Sequence, residues 1–125
     1  MNMKKILIIA SLILLFLAWF GFRDNLGHTR SEKTSLYLKI CSQKLDDYFH
    51  EHSTYPTTED GLISLLKKGA ALDNEDAPVD AWGVKFNYKY PGVHNKDKYD
   101  LWSNGADKKP GGEGPNADIT NWTNE

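Results

Sequence analysis

The run DLWSNGADKKPGGEGPNADI, Asp100 to Ile119, concentrates the groups best suited to chemistry: carboxylates at Asp107, Glu113 and Asp118, the amide of Asn116, and backbone carbonyls freed by glycines. All of them are oxygen donors. An oxygen set without nitrogen or sulfur suits calcium, which takes about 6 to 8 oxygens at roughly 2.3 to 2.6 Å and tolerates irregular geometry; it disfavours zinc. The spacing lacks the D-x-D-x-D-G core of an EF-hand, so on chemistry alone a calcium loop and a solvated, metal-free turn both stand open.

Other chemical candidates lack companions. His50 and His52 are two apart on a helical segment and point to different faces, which reads as surface histidines and not a metal pair. Asp46 and Asp47 look like ordinary charges on a solvated helix face. Asp97 and Asp100 would form a carboxylate pair, but neither a nucleophile with its base nor a phosphate-cradling glycine loop accompanies them, so no enzyme is expected. Cys41 is the only cysteine and reads as a small buried side chain. Trp82, Trp102, Trp122, Tyr55 and Phe86 read as core and loop anchors. Asn121-Trp-Thr matches a glycosylation acceptor pattern, read as coincidence. A formal charge of -2 offers no basic patch, so nucleic acid is not an expected partner.

The elements that must position the loop are readable from pattern. After a basic N-terminus at residues 1–5, the run ILIIASLILLFLAWFGF, residues 6–22, carries no charge. At about 1.5 Å per helical residue it spans roughly 25 Å, and snorkelling by Lys5 and Arg23 with Trp19 and Phe20 at the interface completes a bilayer crossing. The bulky end of the run argues for an uncleaved anchor over a removed signal peptide, with residues 23–125 as an extracytoplasmic domain.

RDNLGHT breaks the pattern, and a helix is expected from Ser31 to His52. Leu38, Cys41, Leu45, Tyr48 and Phe49 form its apolar stripe, while Lys39, Gln43, Lys44, Asp46 and Asp47 face water. YPTTEDGLISLLKKG, Tyr55 to Gly69, predicts a short second helix, capped by Thr57 or Thr58, with Asp60 three residues after Thr57 as in a capping box, and closed by Lys67, Lys68 and Gly69. Its apolar face is Leu62, Leu65 and Leu66. A linker to Gly83 precedes Val84, Phe86, Tyr88 and Tyr90, which alternate with polar residues as in a half-buried strand. YDLWS returns antiparallel to it. The chain beyond the long helix has only roughly 70 residues and no disulfide, a size at which a hydrophobic core rarely supplies more than about 3 to 5 kcal/mol, and a metal or an assembly commonly adds the rest.

YPTTEDGL, then DAWG, then SNGADKKPGGEGPNADITNW occur in an order and spacing that resemble the protein G family, the major pseudopilins of the bacterial type II secretion system. The resemblance covers about residues 38 to 122. It implies an α+β, pseudopilin-like fold, with a long N-terminal helix, here membrane-anchored, packed on a small three-stranded antiparallel sheet and closed by a calcium-binding C-terminal loop. Carried over residue by residue, it implies Asp107 and Asp118 as ligands, backbone carbonyls near Asn104 and Asn116, and Glu113 or water where relatives place a further acid near Gly114. Asp80-Ala81-Trp82-Gly83 stands where the family has DPWG. No acidic residue lies between Met1 and Phe22, where the family carries a glutamate in the apolar helix, so residues 1–22 are expected to be kept.

The expected function is a structural subunit of protein secretion, stabilised by calcium. Its expected partners are other pseudopilins or secretion-system components and copies of itself. Its expected location is the bacterial inner membrane, single-pass, with the C-terminal domain in the periplasm. A solitary membrane-tethered module of the same fold is the second reading.

Overall fold

The computed structural model describes residues 2–66 and 78–122, without the side chains of residues 4–8, 21–28 and 66. Helix α1 (Met3–His52) runs unbroken for 50 residues. The expected break at RDNLGHT is absent, because that stretch contains no proline and a single Gly27 costs only about 1 kcal/mol against a helix already propagating on both sides. The chain leaves α1 through Ser53, a left-handed residue (φ 57°) whose N–H donates to the Phe49 carbonyl at 2.7 Å.

The buried stripe of α1 is Thr34, Leu38, Cys41 and Leu45, with Tyr37 and Tyr48 half-buried beside it. Leu38, Cys41 and Leu45 match expectation, and two positions differ. Thr34 is fully buried although its hydroxyl reads as polar, and Phe49 is largely exposed because it lies at the rim, stacked on Tyr55 with centroids 4.7 Å apart. Asp46 is also less free than expected, since it accepts the Tyr55 hydroxyl at 2.9 Å.

The second helix starts later than its pattern. Among the described residues of this segment, α2 (Ile63–Leu66) is α-helical and is preceded by turns. The Thr57–Asp60 pair forms, but it closes a turn ahead of α2 and does not cap the helix: Thr57 Oγ1 accepts the Asp60 N–H at 3.1 Å and donates to the Asp60 carboxylate at 2.8 Å. Leu62 and Leu65 are buried, whereas Lys67, Lys68 and Gly69 lie outside the described residues.

The sheet has the order β1-β2-β3, from β1 (Asn87–Lys89), β2 (Asp100–Ser103) and β3 (Ile119–Thr120), antiparallel throughout. Tyr88 pairs with Leu101 and Trp102 with Thr120. The alternating run from Val84 is strand only over its second half. Its first half makes one bridge, Val79 to Lys85, and turns.

Helix α1 packs on β2 and β3, on α2 and on the 3₁₀ turn at Gly114–Asn116. The core joins Leu38, Cys41 and Leu45 to Tyr55, Leu62, Leu65, Phe86, Tyr99 and Leu101. Each fully buried leucine there contributes about 1.5 to 3 kcal/mol. The core tyrosines keep their hydroxyls paired: Tyr99 donates to the Ser42 carbonyl at 3.1 Å and Tyr88 to the Pro56 carbonyl at 2.8 Å. Burial pushes the Tyr99 phenol up to about 12 and the Cys41 thiol up to about 11, so both stay protonated at neutral pH.

Outside this core, α1 carries a bare apolar run, with Leu12 to Leu17, Trp19 and Phe20 all exposed. Among the described residues, no helix is long and apolar enough to cross a membrane. Residues 6–8 and 21–22 of the expected span have side chains outside the description.

Candidate functional site

The loop between β2 and β3 is tied at both ends before any ligand is considered. At its start, Ser103 is buried at the end of β2; its hydroxyl donates to Asp80 Oδ2 at 2.6 Å and accepts the Gly105 N–H at 3.2 Å. At its end, Asn121 accepts the Leu101 N–H through Oδ1 at 2.8 Å and donates from Nδ2 to the Tyr99 carbonyl at 3.0 Å. The Asn121 amide is thus consumed by β2, which removes the glycosylation pattern from consideration.

Between these ties the two arms of the loop touch. Ala106 N–H donates to the Pro115 carbonyl at 3.0 Å. Two glycines make the approach feasible. A Cβ on Gly105 (φ +65°) would lie 2.7 Å from the Ala117 carbonyl oxygen, and one on Gly112 (φ +88°) 2.5 Å from that of Asn116. Only glycine combines these left-handed angles with such contacts.

The five expected ligands divide into two groups. Asn104 and Asp118 come together on the wall of an open cavity of about 460 Å³, flanked by Lys89, His94, Trp102 and Trp122. Asp118 Oδ2 accepts the Gly111 N–H at 2.9 Å, while its Oδ1 is buried without a partner, as is Asn104 Oδ1. Of the three buried side-chain atoms without a partner among the described residues, these are two; the third is Ser42 Oγ. A buried acceptor left unmade costs about 1 to 3 kcal/mol, so this pair is suited to receive a cation or a donor.

The Asn116 carbonyl oxygen lies 2.9 Å and 2.5 Å from where Cβ atoms on Gly105 and Gly112 would stand. Asp107 is exposed and its Oδ1 accepts the Lys109 N–H at 3.0 Å. Glu113 is exposed at the start of the 3₁₀ turn, where its carbonyl accepts the Asn116 N–H and its carboxylate makes no capping bond. Neither Asp107 nor Glu113 lines the cavity. Among the described residues, no three His, Cys, Asp or Glu side chains gather to hold a metal. A cation here would rest on few carboxylates plus carbonyl and amide oxygens, a donor set that calcium accepts and zinc does not.

Sequence reasoning missed the supports. Asp80 is buried and its Oδ1 accepts the N–H groups of Trp82 and Val84, each at 2.9 Å, which makes DAWG a carboxylate-centred turn. The aspartate with a glycine three residues on was the available signal. Asp100, weighed above as half of a catalytic pair with Asp97, instead organises the β1–β2 loop: it accepts the N–H groups of Val93, His94 and Asn95 and the His94 ring at 2.8 to 3.1 Å. Burial pushes the Asp100 carboxyl up, but these bonds outweigh it and hold the group below the usual carboxylate range. It is a structural anion with its lone pairs occupied, not a base awaiting a proton.

The comparisons with known proteins agree with this architecture. The family described as type II secretion system (T2SS), protein G, matches residues 22–122. A type II secretion system core protein G of Pseudomonas aeruginosa is 39% identical over 97 residues, 70% of this chain and 67% of that protein. One of Vibrio cholerae is 34% identical over 122 residues, 88% of this chain and 82% of that protein. The crystal structure of the major pseudopilin from the type 2 secretion system of enterohaemorrhagic Escherichia coli superposes with a TM-score of 0.57 at 28% identity, covering 82% of this chain and 92% of that one.

Proposed function

The chain belongs to the protein G family of the type II secretion system, and from that premise we propose that it is a structural pseudopilin subunit of the secretion apparatus, with a head steadied by calcium. The observation that carries the reading is the division of α1: one end is seated on the sheet through Thr34, Leu38, Cys41 and Leu45, while the other leaves an apolar surface bare from Leu12 to Phe20. A bare apolar surface of this extent needs a covering. In a secretion subunit the bilayer or neighbouring helices supply it. On this reading residues 6–22 anchor the chain in the inner membrane, residues 1–5 stay cytoplasmic and the head lies in the periplasm, in contact with other pseudopilins and with copies of itself.

Family membership favours this role over the solitary tethered module. It also fits the lack of a catalytic constellation among the described residues. Calcium would be held by Asp118 Oδ1 and the Asn104 and Asn116 oxygens, with Asp107 and Glu113 within the same loop; its part would be to neutralise buried acceptors and join the two arms. Extracellular calcium modules work at roughly 10⁻⁴ to 10⁻³ M, an affinity that suits an extracytoplasmic head. Deletion should abolish export of at least one secreted protein, and crosslinking in native membranes should capture other secretion components. Normal export with no crosslinked partner would reject the role.

A further inference from the structure

Four buried groups, Thr34, Asp80, Ser103 and Gly105, connect α1 to the loop through three hydrogen bonds and the Asp80–Ala81 peptide link. Thr34, fully buried on α1, accepts the Ala81 N–H at Oγ1 at 3.0 Å. The neighbouring Asp80 carboxylate holds the Trp82 and Val84 N–H groups through Oδ1 and the Ser103 hydroxyl through Oδ2, the last at 2.6 Å. Ser103 spends its one proton on Asp80 and offers a lone pair to the Gly105 N–H. Gly105 in turn meets the Ala117 and Asn116 carbonyls of the opposite arm. Asn104 and Asp118, with the two unpartnered oxygens, flank that contact on the two arms.

We infer that Thr34, Asp80 and Ser103 are positioning residues that set the separation of the loop's two arms at Gly105, and so couple the cation site to the seating of α1. The inference rests on the calcium reading for its ligand and on the geometry for its path. The physical ground is that the line offers little slack. Asp80 and Ser103 are 3% and 1% exposed, so neither can exchange a protein partner for water. The Ser103 bond is charge-assisted and short, which resists sliding. A shift of Gly105 toward or away from Asn116 therefore pulls on Ser103, on the Asp80 turn and on Thr34. Coupling of this kind is reciprocal: whatever a cation gains from a well-seated helix, the helix gains from the cation.

The test uses the full chain in detergent, titrated with calcium alone by calorimetry well below the melting temperature, together with amide exchange. Thr34→Val keeps the volume and removes the acceptor, at a residue of α1 and not of the loop. It is expected to weaken calcium binding about tenfold, within the usual range of coupling between sites, and to speed exchange at Gly105. Thr34→Ser should restore both, and Ser103→Ala should reproduce the Val effect if that variant folds poorly. Leu62→Ala, a core truncation outside the line, should lower stability and leave calcium affinity unchanged. Wild-type affinity and wild-type Gly105 exchange in Thr34→Val would overturn the inference. Absence of calcium binding by the wild type would reject the calcium reading alone, and Gly105 exchange in Thr34→Val would still decide the positioning role.

Discussion

The indole of Trp122 lies flat against the imidazole of His94, with ring centroids 4.1 Å apart and planes within 3° of parallel. His94 belongs to the β1–β2 loop that Asp100 gathers, and Trp122 follows β3, so one stack clasps the chain beyond β3 to the β1–β2 loop, at the end of the sheet opposite the calcium-candidate loop. Trp102 closes the clasp from the side, 5.8 Å from Trp122 and edge-on to it. A glycine-rich, polar segment thus keeps one shape because Ser103 ties its start, and the short strand β3 that follows it is held in place by Asn121 and the clasp.

Trp122→Ala is accordingly expected to destabilise the head by about 1 to 3 kcal/mol, and His94→Ala by less. A double-mutant cycle should return about 0.5 to 1.5 kcal/mol of coupling, measured by urea unfolding. Strictly additive effects would show that the stack contributes nothing beyond burial.

Asp100 supplies an acid-side prediction. Its folded pKa lies below that of an unfolded aspartate, near 3.9, so its contribution to stability is present above that value and is lost as pH falls through the folded value. Asp100→Asn should cost about 2 to 4 kcal/mol at neutral pH, because three N–H groups lose an ionised acceptor. The gap between wild type and variant should close below about pH 4 in melting experiments. A gap constant down to the lowest pH tested would contradict the assigned charge.

The parts of this molecule that were legible in its sequence are those that periodicity encodes. Leu38, Cys41 and Leu45 repeat every three or four residues and are buried; Tyr88 and its return strand alternate and pair as expected. What periodicity does not encode is a polar residue buried because a distant group satisfies it. Thr34, Asp80 and Ser103 come from three separated segments, and only the fold shows that each completes the next. The same limit applied to the ligands. Composition ranks Asp107, Glu113 and Asp118 equally, whereas the folded loop leaves Asp107 and Glu113 in solvent and buries one oxygen of Asp118.

At the alkaline side, burial holds the Tyr99 phenol near 12, above its unfolded value of about 10, and raises those of Tyr55 and Tyr88 as well. For a folded pKa above the unfolded one, the stability contributed is fully present below about pH 10 and is lost as pH rises toward 12. Melting temperature should therefore fall steeply above about pH 10, with phenolate absorbance from the core tyrosines appearing only as the head unfolds. Tyr99→Phe, which also gives up the bond to the Ser42 carbonyl, should cost about 1 kcal/mol at neutral pH and flatten part of that fall. Phenolate absorbance from all six tyrosines near pH 10 in the folded state would overturn this account.

The last prediction separates the carboxylates of the loop. Asp118 has one oxygen on the Gly111 N–H and the other buried without a partner, so Asp118→Ala removes both an arm-to-arm bond and the best-placed candidate ligand for a cation. In chelator it should cost about 1 kcal/mol for the lost bond. In calcium at about 100-fold excess over Kd it should cost roughly 2.7 kcal/mol more, since a ligand that binds only the native state adds RT ln(1 + [L]/Kd). Asp107→Ala removes an exposed side chain whose one bond is local, to the Lys109 N–H. It should be almost silent in chelator, and its deficit in calcium should be smaller than that of Asp118→Ala. The comparison is informative because both residues sit in similar Ala-Asp contexts and only the folded surroundings distinguish them. Identical melting temperatures for the wild type in calcium and in chelator would remove calcium from the account, while equal losses for the two variants in both conditions would show that the buried Asp118 oxygen has no special role.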